Sequence, residues 1–359
     1  MRLKRLELWW RGLWIRLLVK LMRRAGDGRP QWDTRPVRVL FLRHDRAGDM
    51  ILSTGLMRAI ARSHATITLD VLASPANAAV LDGADYVSRV IVFNKKDLTS
   101  YVPVALALRH AKYDAVIDCM VTAPSVTTLL LILASGARYR VGISGRGNDA
   151  AFNVTVPGET GPAAHMVDFL AALAPAFDVT LDENQRRPII TLSERERANA
   201  DSRWTPAGPR RALINISAGS AERLWPDESY AAVMRHLSEL EPGVSMVVIG
   251  APSDSDRASA IADSGGGIAV PTPSIRDAFA LVATADFVFT PDTSIAHAAS
   301  AFQRPCVAIY ADNKSERWGL YRTVGENVLN DDSSLASLTV HRVLPAIDRV
   351  WGQAGWRSD

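Results

Sequence analysis

A charged segment follows the first predicted strand of the sequence. It reads Arg-His-Asp-Arg-Ala-Gly-Asp-Met and begins at Arg43. Asp49 lies at the start of the next predicted helix, where its carboxylate could cap free backbone amides or accept a proton from a hydroxyl group. His44 and Asp45 are alternative candidates for that catalytic base. Arg43 and Arg46 would suit an anionic acceptor molecule, because guanidinium groups pair with phosphate and carboxylate.

A second strand-to-helix junction is rich in small and hydroxyl-bearing residues. The segment Asn-Ile-Ser-Ala-Gly-Ser-Ala-Glu-Arg-Leu-Trp-Pro contains Ser217, Ser220 and Arg223. Small side chains let backbone N–H groups approach an anion, and arginine donates paired hydrogen bonds to phosphate oxygens. The alternative is that Arg-Leu-Trp-Pro is only a helix entry with a packed tryptophan. We expect the junction to bind the oxygens of a phosphate group.

A third junction joins an apolar strand to an alanine-rich helix. Asp292, Thr293 and Ser294 lie where the strand ends, and His297 follows one turn into the helix. The N–H groups and the dipole of a helix N-terminus favour a diphosphate, and Thr293 adds a hydroxyl group. A lone helical histidine is more often a packing residue, which is the alternative role for His297. The junction therefore predicts a diphosphate site.

Metal, disulfide and dinucleotide sites are not favoured. Asp-Ser-Asp at residues 254–256 matches an Asp-x-Asp metal motif, but it stands at a predicted helix start, where acidic groups stabilise the helix dipole. No other segment has the spacing of metal ligands, so we expect neither a metal nor a cofactor. Cys119 and Cys306 lie in apolar runs and are expected to be reduced core residues. The glycine-rich dinucleotide turn is missing after Val37–Arg43, which disfavours a dehydrogenase.

The elements that must position these junctions alternate between strands and helices. Apolar, β-branched runs predict strands at Val37–Arg43, Thr66–Leu72, Val90–Phe93, Tyr113–Cys119, Leu213–Ser217, Ser245–Gly250, Phe287–Thr290 and Cys306–Tyr310. Helical periodicity predicts helices at Met50–Ser63, Pro75–Leu81, Val102–Ala111, from about residue 124, and at His165–Phe177, Asp227–Leu240, Ser253–Asp263, Ile275–Thr284, Thr293–Phe302 and Val340–Trp351. This alternation is typical of parallel sheets covered by helices on both faces.

Two such blocks predict two domains in the 359 residues. Residues 37–178 form the predicted N-terminal Rossmann-like domain, and residues 190–338 form the C-terminal one, followed by a helix at 339–359. Residues 25–36 are expected to be a linker. The two parallel sheets are expected to face a central cleft, with ligands at the carboxyl ends of the strands.

The first 24 residues carry an unusual share of the charge. Their eight basic and one acidic side chains sum to +7, so the rest of the chain contributes −4 to the total of +3 and does not resemble a nucleic-acid binder. Interspersed charges make the apolar runs too short for a membrane span. On a helix, one broad face collects Leu3, Leu6, Trp10, Leu13, Trp14, Leu17, Leu18 and Leu21. Residues 1–24 therefore predict an amphipathic helix at an anionic membrane interface, the alternative being a helix packed on protein.

Together the junctions resemble glycosyltransferase family 9, the ADP-heptose:lipopolysaccharide heptosyltransferases. The resemblance is carried by Leu-Phe-Leu-Arg-His-Asp-Arg-Ala-Gly-Asp-Met-Ile-Leu-Ser-Thr at 40–54, Arg-Leu-Trp-Pro at 223–226, Asp-Thr-Ser-Ile-Ala-His-Ala-Ala-Ser-Ala at 292–301 and Glu-Arg-Trp-Gly-Leu-Tyr at 316–321. It implies an α/β GT-B fold, to which the N-terminal amphipathic helix is an addition. It also implies an inverting, metal-independent glycosyltransferase that transfers heptose from ADP-heptose to a lipopolysaccharide core acceptor.

The resemblance also assigns roles to residues. Asp49 matches the catalytic base proposed for the family, and Arg223 stands where the family has a basic residue, usually lysine, that binds the donor diphosphate. Asp292, Thr293 and His297 match its donor-binding motif. The N-terminal domain would bind a lipid-anchored oligosaccharide acceptor and the C-terminal domain the nucleotide sugar. The implied location is cytoplasmic, peripheral to the inner face of the plasma membrane.

Two departures from the family pattern leave alternatives open. Ser294 replaces the usual glycine, and Ala-Asp-Asn at 311–313 stands where the family tends to have Gly-Pro-Thr. Both changes concern the donor pocket, so another nucleotide-sugar donor with the same fold and mechanism is an alternative. A non-catalytic membrane scaffold that keeps a nucleotide-binding cleft is a second alternative.

Overall fold

A computed structural model of the protein describes residues 12–20, 22, 30–119, 125–145, 149–158, 164–205, 207–312 and 314–356. These residues divide into two compact units. Unit 1 lies within Met1–Pro162 and Val167–Arg186, and unit 2 lies within Ala163–Met166 and Arg187–Asp359.

Unit 1 is built on a six-stranded parallel sheet in the order β3-β2-β1-β4-β5-β6. Its strands are β1 Val37–Arg43, β2 Ile67–Ala73, β3 Arg89–Val92, β4 Ala115–Asp118, β5 Tyr139–Ile143 and β6 Val154–Val156. Its helices are α1 (residues 12–20 and 22), α2 Ala47–Ser63, α3 Tyr101–Ala111, α4 Val126–Ser135, α5 Met166–Ala171, whose first residue falls to unit 2, and α6 Glu183–Arg186. The order reverses between β1 and β4, and this reversal is where ligands bind in open α/β sheets.

Unit 2 repeats that topology with a second parallel sheet, β12-β11-β10-β7-β8-β9. Its strands are β7 Arg211–Asn215, β8 Ser245–Ile249, β9 Ile268–Ala269, β10 Phe287–Pro291, β11 Cys306–Tyr310 and β12 Gly325–Leu329. Its helices are α7 Glu194–Asp201, α8 Asp227–Leu240, α9 Ser255–Gly265, α10 Ile275–Thr284, α11 Ser294–Ala301, α12 Ser315–Trp318 and α13 Val340–Gln353. Here the reversal lies between β7 and β10.

The predicted α/β architecture with two parallel sheets is confirmed. The central strands β8, β10 and β11 are buried along their whole length, because helices cover both faces of a parallel sheet. Short 3-10 turns occur at Ala78–Leu81, Leu98–Ser100, Asp149–Ala151, Ala174–Phe177, Ala221–Arg223, Pro252–Asp254 and Leu335–Ser337. Cys119 and Cys306 are buried and free, as the sequence predicts.

Several elements differ from the prediction. The strands β5, β6, β9 and β12 lie at or next to sheet edges and are not predicted. Strand β9 has only two residues, and the other three are short and carry polar or glycine residues. The predicted helix His165–Phe177 is instead α5 and a 3-10 turn, and Pro75–Leu81 contains only a 3-10 turn. Helix α7 is also missed, since its sequence Glu-Arg-Glu-Arg-Ala-Asn-Ala-Asp has no apolar face.

Helix α1 packs on unit 1. Leu18 and Met22 are buried in the core that α3 and α4 share, and Ile15 and Val19 pack against it half-buried. Arg140 donates from Nη2 to the carbonyl oxygen of Met22 at 2.9 Å. Leu18 was expected on the membrane face and lies on the protein side instead. Residues 1–11, 21, 23 and 24 of the predicted helix lie outside the described residues. Within the described residues, no helix is long and apolar enough to cross a membrane.

Candidate functional site

Arg43 organises the carboxyl edge of the sheet in unit 1. It is the last residue of β1 and is fully buried. Its Nε donates to the carbonyl oxygen of Asp49 at 3.0 Å, and its Nη2 lies 3.3 Å from Asp49 Oδ1. Its Nη1 donates to the carbonyl oxygen of Cys119, which follows β4, and lies 3.4 Å from Asp45 Oδ2. One guanidinium therefore holds two carboxylates at the reversal between β1 and β4.

Asp49 lies in the first turn of α2, which begins at Ala47, three residues earlier than predicted. The N-cap residue is Arg46, and its side chain makes no capping bond. The capping role considered for Asp49 is therefore wrong. Its carboxylate contacts Arg43 and remains 22% exposed, which leaves it accessible to another molecule. The helix N-terminus and the Arg43 guanidinium both place positive charge beside this carboxylate.

Asp45 and His44, the alternative bases, lie in different electrostatic environments. Burial raises the pKa of Asp45 to about 6, with Arg43 opposing the shift and Asp49 adding to it. Asp45 Oδ1 is buried without a hydrogen-bond partner. Burial lowers the pKa of His44 to about 4, so its imidazole is neutral at pH 7. His44 Nε2 lies 3.4 Å from Thr128 Oγ1 and its ring packs edge-on to Phe93, which indicates a packing role.

The two arginines expected to bind an anionic acceptor differ in position. The donor groups of Arg43 point at Asp45, Asp49 and Cys119 inside unit 1, so this side chain positions the carboxylates. Burial alone lowers the pKa of Arg43, but Asp45 and Asp49 more than offset that effect and the pKa lies above its ordinary value. Arg46 is exposed and remains the arginine that can reach an external anion.

Asn215 links the two predicted donor junctions of unit 2. It ends β7, next to β10 at the reversal of the second sheet. Its Nδ2 donates to Thr290 Oγ1 at 2.9 Å and to Thr293 Oγ1 at 3.1 Å. Its Oδ1 accepts from the backbone N–H and the hydroxyl of Ser217, at 3.2 and 2.7 Å. Thr293 is the N-cap of α11, and its Oγ1 accepts from the N–H of Ile295 at 3.3 Å.

Arg223 joins the same cluster through an ion pair. Its Nη2 lies 2.8 Å from Asp292 Oδ2, and its Nη1 donates to the carbonyl oxygen of Asp292 at 2.9 Å. Both side chains are partly exposed, Arg223 by 22% and Asp292 by 14%. A half-buried guanidinium beside a helix N-terminus can bind phosphate oxygens with directed hydrogen bonds.

The remaining predicted donor residues lie at different depths. Ser294 is the first residue of α11 and is half-buried, so it is adjacent to Asp292 and Thr293. His297 is buried within the same helix. Ser220 is exposed at the start of the 3-10 turn that carries Arg223. The structure thus brings Ser217, Arg223, Asp292, Thr293 and Ser294 together, with Ser220 at the rim and His297 inside.

Two residues of this region were missed by sequence reasoning. Asn215 could have been found as the polar end of an apolar strand. Arg257 stabilises the loop that contains Arg223 through three hydrogen bonds. It donates to Asp227 Oδ1 at 2.6 Å and to the carbonyl oxygens of Ile216 and Trp225 at 3.2 and 2.8 Å. Asp254, the first acid of the metal-like motif, accepts from the N–H of Ala251 at 3.1 Å. That bond is the helix-start role expected for it.

Comparison with known proteins identifies the family. The sequence pattern of glycosyltransferase family 9 (heptosyltransferase) matches residues 103–345, more than half of the chain. No curated protein matches the sequence closely enough to be informative.

Solved structures resemble both units. A family 9 glycosyltransferase from Veillonella parvula has a TM-score of 0.76 at 17% identity, covering 90% of this chain and 99% of its own. ADP-heptose lipopolysaccharide heptosyltransferase II of E. coli has a TM-score of 0.71 at 20% identity, covering 89% and 100%. The heptosyltransferase WaaC of E. coli, solved with ADP, has a TM-score of 0.71 at 19% identity, covering 88% and 100%. At these identities the likeness establishes the GT-B type of fold, and the family match establishes that the chain belongs to glycosyltransferase family 9 and is a glycosyltransferase.

Proposed function

We propose that this protein transfers a heptose from ADP-heptose to a lipopolysaccharide core acceptor, with inversion at the anomeric carbon and without a metal ion. The observation that carries the proposal is the cluster of Arg223, Asp292 and Thr293 at the start of α11. Family membership and the heptosyltransferases among the similar structures support the class of donor.

The cluster suits the leaving diphosphate. Negative charge grows on the phosphate oxygen as the sugar–oxygen bond breaks, and fixed cationic and N–H donors stabilise that charge best when they are already in place. Asp292 holds Arg223 through two contacts, and Asn215 holds the Thr293 hydroxyl beside it. Arg223 and the helix N-terminus would together supply the positive charge that a metal supplies in other sugar transferases.

Asp49 suits the role of base. In a single displacement, the acceptor hydroxyl oxygen forms a bond to the anomeric carbon while the bond from that carbon to the diphosphate oxygen breaks. The hydroxyl proton passes to Asp49, and ADP leaves with the electron pair. Arg43 holds the Asp49 carboxylate in position through Oδ1, and part of the Asp49 side chain remains exposed.

The proposal includes the acceptor and the place of work. Arg46, exposed beside Asp49, would bind a phosphate or carboxylate of a lipid-anchored oligosaccharide. The protein would work in the cytoplasm at the inner face of the plasma membrane, held there peripherally by residues 1–24, whose +7 charge favours anionic lipid.

Substitution of Arg223 tests the donor site. Arg223→Met should weaken ADP binding by about 10- to 100-fold, since a charge-assisted hydrogen bond contributes about 1.5–3 kcal/mol. Arg223→Lys should retain most of the affinity, because it keeps the charge. Arg235→Met is the matched control: this exposed arginine of α8 bonds to the carbonyl oxygen of Ser264. Isothermal titration calorimetry measures the affinities, and unchanged ADP binding by Arg223→Met would remove the diphosphate role.

A further inference from the structure

Three helices of unit 1 leave large apolar side chains exposed. Six of them, two from each helix, are Trp14, Leu17, Val102, Leu106, Leu130 and Leu133. Val102 is 66% exposed and Leu106 is 53% exposed. In the described part of unit 2, the large apolar side chains that are exposed are Leu224 and Val324 alone. Among the described residues, the exposed large apolar side chains are therefore concentrated on unit 1.

These side chains project from helices that share one core. Leu18 and Met22 of α1 are buried in the same cluster as Val104 of α3 and Ile132 of α4. The three helices therefore bury their inner sides in one core, and α3 and α4 also contact each other directly. We call the outer sides of the three helices the apolar face.

Helix α4 exposes apolar side chains although its sequence is that of a buried helix. The sequence Val-Thr-Thr-Leu-Leu-Leu-Ile-Leu-Ala-Ser contains no charged residue. A helix that is apolar all round is normally covered on every side. Leu129 and Ile132 are buried on its inner side, whereas Leu130 and Leu133 are exposed on its outer side. An apolar environment on the outer side would complete the burial of this helix.

The charge around the apolar face is strongly positive. Residues 12–22, 94–112 and 125–140 contain the basic residues Arg16, Lys20, Lys95, Lys96, Arg109, Lys112, Arg138 and Arg140, against one acid, Asp97. On α1, Arg16 and Lys20 are exposed on the flank of the helix beside Leu13 and Leu17. An apolar stripe flanked by lysine and arginine is suited to anionic headgroups above acyl chains.

We propose that the apolar face of α1, α3 and α4 docks onto an anionic lipid bilayer, so that unit 1 itself, and not only the N-terminal segment, forms the membrane-binding surface. Protein interfaces are depleted in lysine at their cores, which makes a protein partner the poorer match. This inference extends the membrane association included in the proposed function. It depends on the proposed function only in assuming that the acceptor is anchored in lipid. Lipid binding is measured without the reaction, so failure of either claim is distinguishable.

Vesicle co-sedimentation of the full chain tests the docking. Vesicles of equal parts phosphatidylglycerol and phosphatidylcholine should bind the protein, and phosphatidylcholine alone should bind it weakly. The double variant Val102→Asn/Leu106→Gln, with residues 1–24 intact, should lower binding about tenfold or more, because buried apolar area is lost. Lys95→Gln/Lys96→Gln should lower vesicle binding about tenfold or more, because each basic residue near an anionic surface contributes roughly 1 kcal/mol to binding. Val324→Asn, at an exposed apolar position of unit 2, is the matched control.

A fluorescent label gives a second, direct readout. Val102→Cys and Val324→Cys can be labelled selectively with an environment-sensitive fluorophore, since Cys119 and Cys306 are buried. The label at position 102 should shift to shorter wavelength on anionic vesicles, whereas the label at position 324 should not change.

Two results would overturn the inference. The first is that Val102→Asn/Leu106→Gln binds vesicles as tightly as the wild-type protein and the label at position 102 does not shift. That result would confine binding to the N-terminal segment. The second is a concentration-dependent dimer that the Leu106→Gln change abolishes while lipid binding is absent, which would assign the face to a second copy of the chain.

Discussion

Arg43 is the residue on which the arrangement of unit 1 depends. It is buried, and its guanidinium contacts the backbone of Asp49 and Cys119 and the carboxylates of Asp45 and Asp49. The resemblance to the family indicated Asp49 as a candidate catalytic base. Arg43, in contrast, was predicted from the sequence to bind the acceptor. Its true surroundings depend on which strands are neighbours, and strand order cannot be read from local spacing. The same holds for Asn215, whose partners Thr290 and Thr293 are more than 70 residues away.

Replacement of the proposed base is the direct test at this scale. Asp49→Asn keeps the size of the side chain but removes the proton acceptor, so turnover should fall about 10²- to 10⁴-fold. ADP binding should be unchanged, because the residues proposed to bind the donor lie in unit 2. Asp85→Asn, at an exposed acid of unit 1, is the control. Near-normal turnover of Asp49→Asn in a single-turnover assay would assign the base to another group, with Asp45 the first to examine.

The pH dependence of stability reports the surroundings of Arg43. Asp45 has a folded pKa raised to about 6, so between its ordinary value of 3.8 and about 6 the folded state binds more protons and the free energy of unfolding falls as pH rises. His44 has a folded pKa lowered to about 4 from 6.5, so in nearly the same window the free energy of unfolding rises with pH. The two effects oppose each other in the wild-type protein.

Asp45→Asn should therefore unmask the histidine effect. Relative to wild type, the variant should gain stability as pH rises from about 4 to about 6, and the difference should stay constant above about 6.5. Urea unfolding across this range measures it. A wild-type-minus-variant difference that is independent of pH between about 4 and 6 would mean that Asp45 has an ordinary pKa.

At the scale of elements, the sequence predicts buried strands and amphipathic helices well and short strands at sheet edges poorly. The buried strands β1 and β11 begin and end where their apolar runs do, as do helices α8 and α10 with their amphipathic periodicity. Edge strands such as β12, Gly-Glu-Asn-Val-Leu, bury little and carry no such pattern. Helix α7 did have a signal, the Ser193-x-x-Glu196 capping box, which needs no apolar periodicity.

Glu196 should stabilise unit 2 through that capping box. Its carboxylate accepts from the N–H of Ser193 at 2.8 Å and pairs with Arg276 of α10 at 2.6 Å. The hydrogen bonds from Arg276 are the main cause that lowers the pKa of Glu196 to about 2. Glu196→Ala should lower the free energy of unfolding by about 1–2 kcal/mol, combining a lost cap with a partly exposed ion pair.

Chemical denaturation at neutral pH measures this loss. Glu194→Ala, two residues earlier and exposed, is the control. Because the pKa is depressed on folding, the contribution of Glu196 is present above about pH 4.5 and should disappear as pH falls toward 2. An equal effect of both substitutions would show that the link from α7 to α10 adds nothing.

At the scale of the whole molecule, the same sheet topology occurs in both units. Each sheet reverses its strand order beside its first strand, at β1 and β4 in unit 1 and at β7 and β10 in unit 2. Asp49 follows β1, while Arg223 and Thr293 follow β7 and β10. The same structural rule therefore places the proposed base in unit 1 and the proposed diphosphate ligands in unit 2. The helices α1, α3 and α4 of unit 1 add an apolar, basic face that this rule does not require.

The most direct test of the central claim is the product itself. Purified protein is incubated with ADP-heptose and a truncated lipopolysaccharide, with and without EDTA, and the mass and anomeric configuration of the product are determined. We predict addition of one heptose with a configuration opposite to that of the donor, unaffected by EDTA and slowed about 10²- to 10⁴-fold in Asp49→Asn. Transfer with retained configuration, strict dependence on added metal, or transfer only from a different nucleotide sugar would contradict the proposed reaction.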